Sequence, residues 1–93
     1  MPRQYWAYIT TNCRNTVLYT GVTNNLARRI EEHQSGKTKS FTKKYNVNKL
    51  VFAEGFESIE YALMAEKKIK AGSRQKKIDL IKNINPNFEE ITF

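Results

Sequence analysis

The amino-acid sequence predicts a small α+β domain, in which a three-stranded antiparallel sheet is flanked by three helices in the order ββαβαα. Two short segments rich in aromatic and β-branched residues follow each other near the start of the chain, and a third lies in the middle. Three stretches with helical caps and helical periodicity lie between and after these segments. The chain has 93 residues, so we expect a single domain over 1–93.

The predicted strands are residues 5–11, 17–22 and 49–54. Turn residues at 12–16 join the first two strands, which predicts an antiparallel hairpin. We expect the third strand to join that hairpin in one sheet. The tail at 87–93 is short and is expected to pack as an edge segment.

Each predicted helix begins after a Ser, Thr or Asn that can cap it and ends at a Gly or at Asn-Pro. On this basis the helices cover about 24–35, 59–71 and 74–84, and they end at Gly36, Gly72 and Asn85-Pro86. Residues 37–48 are predicted to form a basic loop.

The charge balance favours a polyanionic partner. Sixteen Lys and Arg residues against nine Asp and Glu give a net charge of +7, which indicates nucleic acid first and an anionic membrane second. No apolar run approaches the ~18 residues of a membrane span, and no signal-like segment follows Met1, so we expect a cytoplasmic protein without a membrane partner. Cys13 and His33 are the only residues of their types, which excludes an internal disulfide and a Cys/His zinc site.

A helical wheel of the first helix places Leu26 and Ile30 in an apolar stripe, with Arg29 and His33 beside it and Arg28 on the far side. An arginine at the edge of a buried stripe can reach over a sheet and neutralise phosphate oxygens. The plainer alternatives are that Arg29 covers a core edge or pairs with an acid, and that His33 packs or caps.

Glu66 lies at the margin of the predicted buried face of the second helix, and Lys67 points away. A carboxylate at such an edge can ligate Mg²⁺, which commonly uses one or two carboxylates with water and substrate oxygens. The plainer interpretation is a surface ion pair between Glu66 and Lys70 at i,i+4 spacing. The predicted buried face consists of Ala62, Ala65 and Ile69, with Tyr61 beside them.

Strand alternation places Tyr8 and Tyr19 on one face of the hairpin, with Trp6, Thr10, Val17 and Gly21. Paired tyrosines on a sheet face are more often core residues than catalysts, although their hydroxyls can position or deprotonate a water. Gly21 near a strand end indicates that another backbone or a ligand comes close.

Two basic segments, 37–44 and 74–82, could be solvated charged faces or phosphate contacts, and two aromatic residues in or beside the first favour base stacking. The predicted nucleic-acid-binding residues are Lys37, Lys39, Phe41, Lys43, Lys44, Tyr45, Arg74, Lys76 and Lys77.

The chain contains the tripeptides Trp6-Ala7-Tyr8 and Tyr19-Thr20-Gly21, and an arginine and a glutamate follow them in this order. In this order of motifs the chain resembles the GIY-YIG nuclease superfamily. The chain is most similar to the small stand-alone bacterial members, and the resemblance extends from Tyr5 to about Phe88. The stretches YTGVTNNLARRIEEHQSG and FTKKYNVNKLVFAEGFESIEYALMAEKKIK carry most of it. WAY in place of GIY is a common drift, because only the tyrosine carries chemistry.

The resemblance implies a metal-dependent endonuclease that hydrolyses DNA phosphodiester bonds, in repair or recombination, with one Mg²⁺ or Mn²⁺ ion held by Glu66. The family arginine lies ten residues after the tyrosine of YIG, which is the position of Arg29 here. The resemblance also implies a site made of the two motif tyrosines, the motif glycine, the arginine, an assisting histidine and the glutamate, which are Tyr8, Tyr19, Gly21, Arg29, His33 and Glu66.

The resemblance departs at the late asparagine of the family, which in several members follows a Pro-x-aromatic element. Here Glu89 follows Pro86-Asn87-Phe88, and the sequence leaves open whether Asn83, Asn85 or Asn87 substitutes. One alternative function is therefore a non-catalytic nucleic-acid-binding module with a degenerate site. Another is a small basic protein that binds structured RNA or the ribosome, which requires Arg29 and Glu66 to lie far apart. The DNA substrate could be branched, flapped or single-stranded, and a protein partner could supply specificity.

Overall fold

A computed structural model describes residues 4–35 and 47–91, except for the side chains of 33–35. The elements follow in the order β1 (Tyr5–Thr11), β2 (Leu18–Thr23), α1 (Leu26–Ser35), β3 (Lys49–Phe56), α2 (Ile59–Ala71) and α3 (Arg74–Ile84). The predicted α+β class and the order ββαβαα are confirmed. No helix within the described ranges is long and apolar enough to cross a membrane.

The three strands form one antiparallel sheet in the order β2-β1-β3, so the first strand is the central one. Its residues are buried from Ala7 onward, because it is paired on both edges and covered on both faces. Tyr8 lies opposite Gly21 on β2 and opposite Ala53 on β3. Position 8 is therefore close to the centre of the sheet.

Two predicted strand boundaries are corrected by the structure. β2 begins at Leu18 instead of residue 17, because the Asn12 side chain accepts hydrogen bonds from the backbone N–H groups of Thr16 and Val17 and holds both in the turn. β3 extends to Phe56, two residues further than predicted, since it pairs with β1 as far as Tyr5.

The polar residues that precede the helices act as the sequence predicts. The Ser58 hydroxyl accepts from the N–H of Tyr61, and the Ser73 hydroxyl accepts from the N–H of Lys76. At the start of α1, the Asn25 side chain accepts from the N–H of Arg28 at 3.0 Å. These caps fix where α1, α2 and α3 begin and thus which residues they turn toward the sheet.

The two faces of the sheet carry separate clusters of buried side chains. Tyr8 packs with Ile30 of α1 and Leu50 on one face. Ile9 projects to the other face. There it packs with residues of β3, α3 and the chain end, which are Val51, Phe52, Ile81 and Phe88, and Ile69 of α2 packs against this cluster. Tyr61, expected beside the buried stripe of α2, is instead 63% exposed, because α2 turns Ala62 and Ile69 inward.

The segment after α3 is attached to β3 by hydrogen bonds. The Asn85 side-chain amide donates to the carbonyl of Val51 at 3.0 Å and to that of Glu89 at 2.8 Å, and its oxygen accepts from the N–H of Glu89. The N–H of Ile91 donates to the carbonyl of Leu50 at 2.8 Å. The chain end therefore packs on β3 as far as it is described, and Asn85 has a structural role there.

Candidate functional site

The central contact of the candidate site joins β1 to α1. The Nε of Arg29 donates a hydrogen bond to the Tyr8 hydroxyl at 3.1 Å. This contact forms because Ile30, the next residue of α1, packs in the same cluster as Tyr8 and holds the helix against the sheet. Arg28 is exposed and its guanidinium donates to the Asn24 side chain at 3.3 Å. The orientation of the two arginines is the one that the helical wheel predicts.

Tyr19 lies close to both Tyr8 and Arg29. Its ring lies 6.4 Å from the ring of Tyr8, centroid to centroid, at an interplanar angle of 43°. The Arg29 guanidinium also interacts with the Tyr19 hydroxyl. The hydrogen bond that Arg29 donates to Tyr8 is the largest of the contributions that raise the pKa of Arg29. Arg29 is therefore a permanent positive charge beside two phenol hydroxyls.

The two tyrosines differ in their access to solvent. Tyr8 is 1% exposed, and burial raises the pKa of its hydroxyl, an effect that the hydrogen bond from Arg29 opposes. Tyr19 is only partly buried. Tyr8 is thus a protonated group at neutral pH that fixes the position of Arg29, while Tyr19 is the tyrosine that solvent can reach.

The negative charge of Glu66 contributes to the raised pKa of Tyr8, after burial and the effect of Tyr19. Glu66 therefore lies within electrostatic range of the hydroxyl to which Arg29 donates, whereas the RNA-binding or ribosome-binding alternative requires Arg29 and Glu66 to lie far apart. We call Tyr8, Tyr19, Arg29 and Glu66 the tyrosine site.

The Glu66 side chain is 19% exposed and lies 3.6 Å from the ammonium of Lys70, so the plainer interpretation, an i,i+4 ion pair, is also present. No group of three or more potential metal ligands occurs among the described residues. A single carboxylate nevertheless fits Mg²⁺, which keeps several waters and takes its other ligands from substrate phosphates. Glu66 is therefore suited to holding a divalent ion together with a substrate.

Gly21 gives the Tyr8 hydroxyl the space it occupies. A β-carbon at position 21 would lie 2.6 Å from the Tyr8 Oη and 2.7 Å from the ring carbon that bears it. The expectation that a backbone or a ligand approaches this glycine is corrected: the approaching group is the phenol of the opposite residue on β1. Any larger residue would displace the hydroxyl to which Arg29 is bonded.

Of the remaining predicted site residues, some lie outside the described part of the structure and the others lie away from the tyrosine site. His33 belongs to α1, but its side chain is not described, and the residues predicted in the basic loop (Lys37, Lys39, Phe41, Lys43, Lys44 and Tyr45) lie outside the described ranges. Arg74 donates to the carbonyl of Asn15 at 3.3 Å. Lys76 and Lys77 line a groove between α2 and α3 that includes no residue of the tyrosine site.

Sequence reasoning missed a second pocket, which lies beside Arg29. It has a volume of about 410 Å³ and is bounded by the start of β1, the end of β2, α1 and the first residue of α2. Its walls come from four elements that are distant in sequence. No pattern along the chain could have indicated it.

Known proteins are similar to this chain over most of its length. The profile described as the GIY-YIG catalytic domain matches residues 4–79. The UPF0213 protein SH2523 of Staphylococcus haemolyticus is 38% identical over 78 residues, which are 84% of this chain and 94% of that protein. The UPF0213 protein NP_0776A of Natronomonas pharaonis is 36% identical over 81 residues, or 87% and 94% of the two chains.

A solved structure shows the same fold. The solution NMR structure of the UPF0213 protein BH0048 from Bacillus halodurans superposes with a TM-score of 0.59 at 33% identity, covering 91% of this chain and 89% of that one. The family is one of nuclease-type domains that generally use divalent metal ions. The sequence, the fold and these relatives together show that the chain belongs to the GIY-YIG family.

Proposed function

We propose that this protein is a metal-dependent endonuclease that hydrolyses phosphodiester bonds of DNA, in repair or recombination. The observation that supports this most is the hydrogen bond between Arg29 and Tyr8, with Tyr19 interacting with both groups and the charge of Glu66 acting on Tyr8. Phosphodiester hydrolysis needs a positive charge for the phosphoryl oxygens, a group that directs a water, and a carboxylate for a metal ion. The tyrosine site contains one of each.

Arg29 neutralises the charge that develops on the phosphoryl oxygens. Its Nε is held by Tyr8, so the outer part of the guanidinium is fixed in direction before substrate arrives. The side chain is 31% exposed, and a carboxylate oxygen of Glu32 lies 4.0 Å from its Nη1. A contact that long and exposed is weak, so a phosphate can replace it.

Tyr19 orients the attacking water and, as a phenolate whose own proton has left to solvent, takes a proton from it. It is the one of the two tyrosines that solvent can reach, and the positive charge of Arg29 beside it stabilises the negative charge of the phenolate. Tyr8 is too deeply buried for this task and positions Arg29. His33, which is on α1 one turn after Arg29, is proposed to assist at the phosphate.

Glu66 would hold one Mg²⁺ or Mn²⁺ ion, with water and a substrate oxygen completing its ligands. When bound, the ion supplies positive charge at a non-bridging oxygen and at the leaving 3′ oxygen. Binding of the ion would replace the contact of Glu66 with Lys70, which is 3.6 Å long and has a lysine side chain that is 55% exposed.

DNA binding is proposed to be sequence-tolerant and strongly salt-dependent, because the net charge is +7 and most of the predicted contacts are lysines. Charge reversal at Lys39, Lys43 and Lys44 should weaken binding about equally for all sequences. The slope of log K against log salt concentration tests this, and a flat slope would exclude the basic loop as a DNA contact.

A cleavage assay tests the proposal. Purified protein is incubated with single-stranded, duplex, flap and branched DNA in Mg²⁺, Mn²⁺ or chelator, beside Glu66→Ala. We expect cleavage only with metal and only with Glu66, while circular dichroism shows both proteins folded, because Glu66 lies at a helix margin and its loss leaves no core cavity. Lys67→Ala, which alters an exposed neighbour on α2, is the matched control and should cleave normally. Binding without cleavage of any substrate would support the degenerate-module alternative.

A further inference from the structure

We propose that the pocket beside Arg29 receives one unpaired base of the nucleic acid, so that the enzyme acts on single-stranded segments in preference to intact duplex. The inference rests on the proposed function, because it takes the phosphate to be bound at Arg29. It adds a subsite outside the tyrosine site and specifies the class of substrate.

Arg29 forms the wall that the pocket and the tyrosine site share. Its Nε is bonded to Tyr8, while its Nη1 lies toward Glu32, which also lines the pocket. A phosphate held on the outer part of this guanidinium therefore has the pocket beside it. The sugar and base attached to that phosphate are the nearest groups that could enter.

The lining of the pocket suits a nucleobase. Residues with apolar groups and residues with donor or acceptor groups both line the pocket: Tyr5, Val22 and Ile59 are of the first kind, and Arg28, Asn24 and Glu32 are of the second. A base needs this combination, with faces that pack on apolar or aromatic groups and an edge that forms hydrogen bonds. The volume of about 410 Å³ falls within the usual range of small-molecule sites, ~300–1,000 Å³.

Ile59 adds exposed apolar surface to the pocket. It is an aliphatic residue at the first position of α2, 38% exposed, and it contributes to the pocket wall. A base in the pocket would cover it. A base within a duplex is stacked and paired and cannot enter without leaving the helix, so the pocket favours unpaired nucleotides.

The first test is an NMR titration of ¹⁵N-labelled protein without divalent metal. The probes are thymidine 5′-monophosphate, deoxyadenosine 5′-monophosphate and deoxyribose 5-phosphate, which has the same sugar and phosphate but no base. We expect the two nucleotides to shift the amides of Tyr5, Val22 and Ile59 and to bind about tenfold more tightly than the baseless compound. Equal affinity for all three, or shifts that avoid these amides, would overturn the inference.

The second test compares two arginine substitutions that remove the same charge. Arg28 lines the pocket, whereas Arg14 is an exposed residue in the turn between β1 and β2 and does not. In fluorescence anisotropy without metal, Arg28→Ala should weaken binding of single-stranded oligothymidylate about tenfold and Arg14→Ala less than about twofold, while both weaken duplex binding equally. Equal losses on single strands would overturn the inference.

These tests separate the inference from the proposed function, since neither depends on turnover. If metal-dependent cleavage occurs but nucleotides avoid the pocket, the nuclease proposal stands and the base subsite is wrong. If bases occupy the pocket but no DNA is cleaved, the subsite stands and the catalytic proposal is wrong.

Discussion

The two faces of the sheet differ in the kind of side chain that they bury. Tyr8 lies on one face, and Ile9, the next residue in the sequence, lies on the other. Ile9 is surrounded by aliphatic and aromatic side chains, and every neighbour adds apolar contact. Tyr8 is buried to the same degree, but it carries a hydroxyl bonded to an arginine and lies within range of a glutamate. One face is an apolar core, and the other also buries the hydroxyl of Tyr8.

This difference indicates how stability and chemistry are divided between the faces. Burying polar groups costs free energy unless they are paired, so the Tyr8 face depends on its hydrogen bonds and on the space left by Gly21. The Ile9 face supplies apolar burial that can offset this cost. Substitutions on the Ile9 face should therefore change stability first, and substitutions on the Tyr8 face should change activity first.

The largest expected effect is at Arg29. Arg29→Ala should lower kcat for DNA cleavage by about 10²–10³-fold, the usual scale for losing one preorganised charge stabiliser. Arg29→Lys should recover little, because an ammonium lacks the second arm that could bind phosphate while the first is bonded to Tyr8. Cleavage rates at saturating DNA measure this, so differences in affinity do not enter.

Arg14→Ala serves as the control for Arg29, since it removes the same charge from an exposed turn. It should leave kcat within about twofold of the wild type. An equal loss in both variants would show that net charge matters more than the position of Arg29.

The second prediction concerns the Ile9 face. Ile81→Ala should lower the free energy of unfolding by about 2–5 kcal/mol, because the side chain is fully buried in the apolar cluster and its loss leaves a cavity. Urea denaturation measures this. Ile84→Ala is the matched control on the same helix, since Ile84 is mostly exposed, and it should change stability by less than about 0.5 kcal/mol. A large loss of kcat in folded Ile81→Ala would contradict the division between faces.

The third prediction tests the space beneath Tyr8. Gly21→Ala should destabilise the protein by about 1–3 kcal/mol and also reduce cleavage, because the added methyl would overlap the Tyr8 hydroxyl and break its bond to Arg29. Gly72→Ala is the matched control, since its nearest contact would be 3.4 Å. If Gly21→Ala lowered stability without slowing cleavage, Tyr8 would not position Arg29.

The smallest expected effect is a dependence of stability on alkaline pH. Burial raises the pKa of Tyr8 above the ~10 of an unfolded chain, so the folded state resists ionisation of this hydroxyl. The associated stability is fully present below pH ~10 and is lost as the pH rises through the folded pKa. The urea midpoint should fall more steeply above pH ~10 in the wild type than in Tyr8→Phe. Tyr61→Phe is the control, because it removes the hydroxyl of an exposed tyrosine, and its urea midpoint should depend on pH as that of the wild type does. If Tyr61→Phe flattened the pH dependence as much as Tyr8→Phe does, the assignment to Tyr8 would be contradicted.

Local signals predicted most of the elements correctly. Ser58 and Ser73 cap helices because a hydroxyl before a helical stretch satisfies free N–H groups regardless of the rest of the fold. The start of β2 was predicted one residue early because the side-chain bonds of Asn12 to the turn leave no periodic signal. Tyr61 was placed near the core because an aromatic residue beside a stripe resembles a core residue, and only the packing of α2 shows which edge is covered.

The sequence by itself determined the family resemblance, the element order and the direction in which Arg29 points, because these follow from motif order and from the fixed angles of helices and strands. The tertiary structure alone decided that β1 is the central strand, that Tyr8 fills the space above Gly21, and that Asn85 links the segment after α3 to β3 by hydrogen bonds. It also created the pocket beside Arg29 from four separate elements. Such features depend on distances between residues far apart in the chain, and those distances are set only when the helices pack on the sheet.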